Sequence, residues 1–550
     1  MVFSFPSPFP LRHYQASCLA VVSGILQVLL FPKFSLSWVS WVALVPLLIA
    51  LFREASWKRA LLLGWIFGLV FFSGCCYWIL EVLQGYGDMH WSGALLLFAL
   101  LIVYLSLFPG LFACAFSRLS LRFPGGCFLL APCLWVATEY LRGHLLTGFP
   151  WCLTGYVLVD ETSLARIATV TGVYGLSFLV VWINALIAGV FFRSRPAVVG
   201  LPVTLAFLGV LMWTETKPAE ASHTGKARAR LVQTHIPLDH PWDPQSQSRL
   251  LDELIELSLS PPFKDSATTP EAPSLPAEPP RARLVIWPET PAPFYYHEDS
   301  SFRKSMSGLA ASSRSSLLFG FVDWPTEHAS SNTGPYNSVG TVSPQGKLIA
   351  QYDKMHLVPF GEYVPWSWLF FFVEKISTGV GDYRPGSRVV VSRLESGEKV
   401  GVFICYEAVV PNLVRRFVAE GAEVLVNITN DAWFGDSAAP HQHLLMARMR
   451  AVENRRYLLR AANSGISAVI DPWGRVLSST GLHRRTVLDG DFRFRRASTF
   501  YSRNGDLFAW LCLVLSLIAG VATCGWRRLK CLRRPETRGE QAGASPPPPA

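Results

Sequence analysis

Long apolar runs fill roughly the first 215 residues and return near Leu507–Trp526, while the stretch between them alternates short apolar segments with amphipathic ones. Crossing a bilayer core takes about 20 residues of helix. The runs that approach or exceed this length are Ser17–Phe31, Trp38–Phe52, Leu61–Leu80, Ser92–Phe116, Cys127–Leu141, Leu164–Phe192, Ala197–Trp213 and Leu507–Trp526. The first two are short and separated by Phe-Pro-Lys, so they also read as one span plus a re-entrant segment. No clear small-x-small cleavage site follows the N-terminus, which argues against a cleaved signal peptide.

From 227 to 496 the pattern changes to the strand–helix alternation of a layered α/β fold. Strands are predicted at Ala229–Gln233, Arg283–Trp287, Ser316–Phe321, Ser338–Val342, Val400–Ile404, Glu423–Asn427 and Ser467–Ile470. Pro440 opens a helical pattern that runs to about Arg460. Residues 260–281 hold seven prolines and little apolar periodicity, the mark of a flexible loop. The division is thus 1–215 with about seven spans, 227–496 globular, 507–526 a last span, and 527–550 a basic, disordered tail. No internal repeat is visible.

Composition agrees with this division. Apolar residues make up 51% of the 550 and charged ones 16%, against about 25% in soluble proteins. Mean hydropathy is +0.30. Basic residues mark alternate loops: Arg12, then Arg53, Lys58 and Arg59, then Arg118 and Arg122, then Arg193 and Arg195, and finally Arg527, Arg528, Lys530, Arg533 and Arg534. Glu81–His90, between two spans, has none. Because positive loops stay cytoplasmic, eight spans follow, with both termini inside and the globular part outside. The net charge of +10 is explained by that topology, and nucleic-acid binding is not expected.

The globular segment holds one of the chain's 11 cysteines, Cys405. A solitary cysteine in an oxidising compartment cannot form an internal bridge. It is either a small buried apolar residue or a nucleophile, and Gly401-Val-Phe-Ile-Cys delivers it at a strand end, where sites of α/β sheets lie. Leu284-Val-Ile-Trp-Pro-Glu289 ends a strand on a carboxylate that a solvated turn would also explain. Tyr352-Asp-Lys354-Met-His-Leu-Val-Pro-Phe-Gly-Glu362 offers an ammonium and a second carboxylate, equally readable as a surface ion pair. His441 and His443 lack further ligands at metal spacing, and no phosphate loop or dinucleotide motif occurs, so no metal or cofactor is expected.

Taken together, these segments resemble the nitrilase superfamily, whose members use Glu, Lys and Cys in this chain order. Trp-Pro-Glu289, Lys354-x-His-Leu-Val-Pro-Phe-Gly-Glu362, Cys405-Tyr-Glu407 and Asn430-Asp-x-Trp433-Phe-Gly, set between membrane spans, resemble the apolipoprotein N-acyltransferase family in particular. The resemblance implies a multi-span helical membrane domain carrying an extracytoplasmic αββα sandwich. It implies Cys405 as nucleophile, Glu289 as general base and acid, and Lys354 with a backbone N–H of Tyr406 as oxyanion donors. Glu362 would hold Lys354, Tyr406 and Glu407 would support the nucleophile's turn, and Trp242, Pro365 and Trp433 would contact substrate. The implied reaction moves an acyl chain from a membrane phospholipid to a diacylglyceryl apolipoprotein at the bacterial inner membrane, on its periplasmic side, by a monomer. Two features depart from the pattern: Val232-Gln-Thr-His-Ile-Pro lacks a Gly-Asn or Gly-Asp pair, and the Pro-rich loop is an insertion.

Two other readings share the same residues. A membrane-anchored hydrolase would use the same triad, but a tether needs one span. A transporter would carry charges deep in its spans, whereas Glu139 and Arg142 sit near a span end.

Overall fold

The computed structural model describes residues 12–85, 90–213, 223–238, 240, 243–261, 283–290, 293–324, 334–366, 368 and 383–532. Trp242, most of the Pro-rich loop and the tail beyond Leu532 lie outside the described residues.

The N-terminal half is helical: α1 (His13–Leu29), α2 (Val45–Leu51), α3 (Trp57–Cys76), α4 (Trp78–Gly85), α5 (Trp91–Arg122), α6 (Cys127–Arg142), α7 (Thr162–Ala165), α8 (Ala168–Thr171), α9 (Val173–Phe191) and α10 (Arg195–Trp213). Among the described residues α3, α5, α9 and α10 are long and apolar enough to cross a membrane. Side chains such as Val199, Val203 and Phe207 on α10 face outward. An apolar face of that extent suits lipid and not water.

Three predicted spans are broken, Leu61–Leu80 only near its end, between α3 and α4 at Tyr77. Trp38–Phe52 is not one helix but a 3₁₀ turn at Ser37–Trp41 followed by α2, with a proline in its first turn. The break frees backbone groups that lipid could not satisfy. Asn184 of α9 takes them up, accepting from Leu44 N at 2.9 Å and donating to Ser40 O at 2.7 Å. Leu164–Phe192 is likewise divided into α7, α8 and α9. At Gly172 (φ +65°) the chain turns, and an added Cβ would stand 2.5 Å from the Tyr501 ring. Only glycine fits there.

The globular part contains twelve strands among the described residues: β1 (His223–Gln233), β2 (Leu284–Ile286), β3 (Ser316–Asp323), β4 (Tyr336–Val342), β5 (Leu348–Asp353), β6 (Val391–Arg393), β7 (Lys399–Ile404), β8 (Val424–Asn430), β9 (Leu458–Asn463), β10 (Ala468–Ile470), β11 (Val476–Ser479) and β12 (Thr486–Arg495). They form two six-stranded sheets, ordered β12-β1-β2-β3-β4-β5 and β11-β10-β9-β8-β7-β6. Helices α11 (Pro244–Leu259) and α12 (Ser300–Ser313) cover the first sheet; α13 (Pro411–Ala419) and α14 (Ala439–Asn454) pack against the second. Period-two alternation sorts the side chains. Leu231, Ile286 and Leu318 point between the sheets toward Val402 and Val426, while Val232, Val285 and Leu317 point under α11 and α12. The result is a four-layer αββα sandwich. The chain leaves it through α15 (Phe500–Asn504) into α16 (Leu507–Leu532), which runs six residues into the predicted disordered tail.

The predicted helix from Pro440 to Arg460 is also corrected. It stops at Asn454, where Arg455 adopts a left-handed φ of +50° and caps back to Ala451 O, and Leu458–Asn463 becomes β9. Residues 455–460 read as continued helix because β9 is buried on both faces and shows no alternation.

Helix α14 is where the two halves meet. Gln442 accepts from Trp151 Nε1 at 2.7 Å and donates to the carbonyls of Pro32 and Cys75, both at 3.2 Å. Glu453 accepts from Val173 N at 2.9 Å, and Arg450 donates to Tyr156 Oη at 3.2 Å. Met446, Met449 and Val452 of α14 share one apolar cluster with the helical half.

Candidate active site

Strand ends assemble the site. Glu289 follows β2, Lys354 follows β5, Cys405 follows β7, and Asn430 closes β8. Glu289 can approach β3 closely because residue 320 is glycine: a Cβ there would lie 3.1 Å from Glu289 Cα and 2.4 Å from Thr290 N.

Each oxygen of Glu289 is engaged. Oε1 accepts from Lys354 Nζ at 3.2 Å and from Asn337 Nδ2 at 2.8 Å, and Oε2 accepts from Asn430 N at 2.8 Å. Lys354 is buried and donates also to Glu362 Oε1 at 2.9 Å. Glu362 is itself fixed by Val358 N at 2.8 Å and Asn337 Nδ2 at 3.0 Å. One ammonium and one carboxamide thus hold two carboxylates together. Burial alone would push the Lys354 ammonium down, but Glu289 and Glu362 outweigh it and hold its pKa well above the ordinary lysine range. It is a charged donor at any physiological pH.

Cys405 opens a 3₁₀ turn with φ at +49°, a left-handed conformation that costs a non-glycine residue about 1–2 kcal/mol. Burial pushes its thiol pKa up, the Glu289 charge pushes it further, and Lys354 acts the other way. The resting thiol is therefore protonated, and it lies within the electrostatic reach of both the carboxylate and the ammonium. Glu407 secures the turn. It accepts from Ile404 N at 2.8 Å, Met355 N at 2.8 Å, His356 N at 3.1 Å and Tyr352 Oη at 2.7 Å, so it ties the Cys405 turn to the strand that carries Lys354. The Tyr406 ring stacks between Trp151 (6.3 Å) and His356 (5.8 Å), facing the helical half.

The predicted Glu289, Lys354, Cys405, Glu362, Tyr406 and Glu407 all come together here. Pro365 lies buried three residues beyond Glu362, and Trp433 is half-buried in the 3₁₀ turn Asp431–Phe434 that follows Asn430. Trp242 is outside the described residues. Asn337, a polar residue within a buried strand, carried no signal in the sequence. Behind Cys405 lies a second polar group, also unforeseen. Asp431 pairs with Arg460 at 2.7 Å and with His443 at 3.1 Å, and Arg460, with His443, holds the Asp431 carboxyl down at about 2 against its burial. His443 therefore belongs to this cluster, and no group of His, Cys, Asp and Glu suited to a metal is present among the described residues.

A buried thiol, a carboxylate able to take its proton and a fixed ammonium able to face a developing oxyanion are the parts required for acyl transfer through a thioester. Residues 23–186 match the model of the apolipoprotein N-acyltransferase N-terminal domain, and residues 228–500 match that of the carbon-nitrogen hydrolases. The apolipoprotein N-acyltransferase of Geobacter metallireducens is 36% identical over 528 residues, covering 94% of this chain and 96% of the relative. The enzyme of the same name from Methylococcus capsulatus is 33% identical over 525 residues, with 94% and 96% covered. Among solved structures, Saccharomyces cerevisiae Nit3, a nitrilase-superfamily protein, aligns with 49% of this chain and 91% of its own at 20% identity and a TM-score of 0.36.

Proposed function

The chain belongs to the apolipoprotein N-acyltransferase family, and on that premise we propose that it acylates lipoproteins through Cys405, with Glu289 as proton carrier and Lys354 as oxyanion donor. The observation that carries this reading is the doubly bonded Lys354, whose ammonium joins Glu289 and Glu362 beside the thiol of the strained Cys405 turn.

In the first half-reaction Glu289 takes the thiol proton and Cys405 Sγ attacks an ester carbonyl of a membrane phospholipid. Lys354 and the backbone N–H of Tyr406 stabilise the oxyanion. Collapse breaks the acyl–oxygen bond, Glu289 returns the proton to the departing glycerol oxygen, and a thioester and a lysophospholipid result. In the second, the α-amino group of a diacylglyceryl-cysteine attacks the thioester. Its proton passes to Glu289, the sulfur leaves and is reprotonated, and an amide remains. The enzyme works as a monomer and needs neither cofactor nor nucleic acid.

Supplied with phospholipid alone, the purified enzyme is expected to release about one lysophospholipid per chain and stall, because Cys405 is buried within an apolar cluster that limits access of water to its thioester. Adding a diacylglyceryl-cysteine peptide restarts turnover and yields N-acylated peptide. Steady release of fatty acid without acceptor, and no acylation with it, would make the protein a hydrolase.

The alternating basic loops support a catalytic domain on the periplasmic face of the inner membrane. A protease site inserted near Ala272 is expected to be cut from outside in cells stripped of their outer membrane, and one after Arg534 to survive until the inner membrane is opened. The reverse pattern overturns this orientation.

A further inference from the structure

His443 has no part in the proton transfers above, yet it lies directly behind the nucleophile. It is 1% exposed on α14, with Nε2 at 3.1 Å from the carbonyl oxygen of Cys405. A carbonyl can only accept, so Nε2 carries the hydrogen. On the other side, Nδ1 lies 3.1 Å from both Asp431 Oδ1 and the Arg460 guanidinium. Burial and the Arg460 charge push the ring's pKa down while Asp431 pushes it back up, and in either protonation state Nε2 keeps its hydrogen. Trp151 of the helical half packs on the ring at 5.9 Å. Arg460 is in turn bound to Asn427 and Asp431, and Asp431 accepts from Thr429 Oγ1 at 2.9 Å, so the imidazole sits in a braced frame.

The carbonyl that His443 grips and the N–H of Tyr406 belong to one peptide unit. That unit is planar, and in the trans form its C=O and N–H point in opposite directions. Holding the oxygen on the α14 side therefore aims the N–H to the other side. A hydrogen bond accepted by the oxygen also polarises the N–H, making it a stronger donor. We propose that His443 is a positioning residue for acyl transfer: it orients and strengthens the Tyr406 N–H as an oxyanion donor by holding the opposite end of the same peptide. This rests on the thioester reading above, because the donor matters only if an oxyanion forms next to it.

The test exploits the fact that the two ring nitrogens do different work. His443→Gln places an amide N–H near the position of Nε2 and keeps the grip on Cys405 O. His443→Asn places its amide near Nδ1 and loses that grip. Losing a well-aimed oxyanion donor slows catalysis about 10²–10³-fold. Acyl-enzyme formation, followed by mass spectrometry of the full-length protein in proteoliposomes with phospholipid, is expected to slow about 10²-fold in His443→Asn, with half-saturating phospholipid unchanged. In His443→Gln it stays within about fivefold of the parent. Alkylation of Cys405 by iodoacetamide builds no oxyanion, so both variants are expected to react within about threefold of the parent. Equal acylation rates in Asn and Gln variants, or alkylation falling in step with acylation, would overturn the proposal in favour of mere packing. A parent enzyme that forms no adduct on Cys405 would instead overturn the thioester reading beneath it.

Discussion

Cys405→Ser protein is expected to insert into the membrane normally and to lose N-acylation by about 10⁴-fold or more, the scale seen when a covalent nucleophile is removed. Serine is nearly isosteric, and the left-handed turn is held by Glu407 through backbone groups, so the fold has no reason to change. What changes is the proton. Burial and Glu289 already raise the Cys405 thiol, so even sulfur depends on a base as the substrate arrives. An alcohol binds its proton far more tightly, and the same carboxylate cannot remove it at a useful rate. The measurement is acyl transfer to a diacylglyceryl-cysteine peptide in proteoliposomes, with intact-mass analysis for the adduct. Activity within tenfold of the parent would remove Cys405 from the mechanism.

Lys354→Met carries the second large effect and separates electrostatics from packing. Loss of one oxyanion donor costs about 10²–10³-fold in turnover, and here the donor is also the clamp on Glu289, so about 10³-fold is expected in acyl-enzyme formation itself. Stability changes too. The parent's folded-state lysine pKa is raised, so its contribution is complete below the unfolded value near 10.4 and fades only as pH rises through the higher folded value. Neutral pH lies wholly inside the stable window. In Lys354→Met the buried Glu289 and the partly buried Glu362 face each other through Asn337 alone, a gap that costs about 3–5 kcal/mol. Protonating one of them relieves the repulsion. The variant should therefore melt at a higher temperature at pH 6 than at pH 8, whereas the parent's Lys354 contributes equally at both. A variant that forms acyl-enzyme at the parent's rate would exclude Lys354 as an oxyanion donor.

Much of the site could be read because its chemistry lies at strand ends, where sequence breaks its own pattern. Cys405, Glu289 and Lys354 each interrupt or end an apolar run, and Glu362 and Glu407 stand at fixed offsets from two of them. Asn337 was invisible for the opposite reason: it sits inside β4 beside Tyr336 and Ser338, where a polar residue in a sheet raises no alarm. Arg460 had a signal that was missed. A charge in Leu-Leu-Arg-Ala-Ala, if the segment is a doubly buried strand, must meet an opposite charge, and Asp431 supplies it. The helix pattern carried past Asn454 hid that strand. Breaks within the membrane half were equally obscure, since apolar composition alone does not tell a continuous helix from α7, α8 and α9 in series. The information sits in Gly172 and Asn184, which matter only once their distant partners Tyr501 and Ser40 are in place.

Helix α14 bears on whether the catalytic half could ever lead an independent life. On a detached sandwich, Gln442 would lose Trp151 and two carbonyls, Glu453 would lose Val173 N, and Met446 and Met449 would face solvent. The same helix bears the histidine that touches the nucleophile's peptide. Excising the sandwich as a soluble fragment would thus strip the wall of its reaction chamber, not merely its anchor. Grafting it onto another membrane protein would require transplanting Trp151, Tyr156 and the Gly172 turn with it. Unlike a module joined by a linker, this enzyme has no seam along which it can be cut.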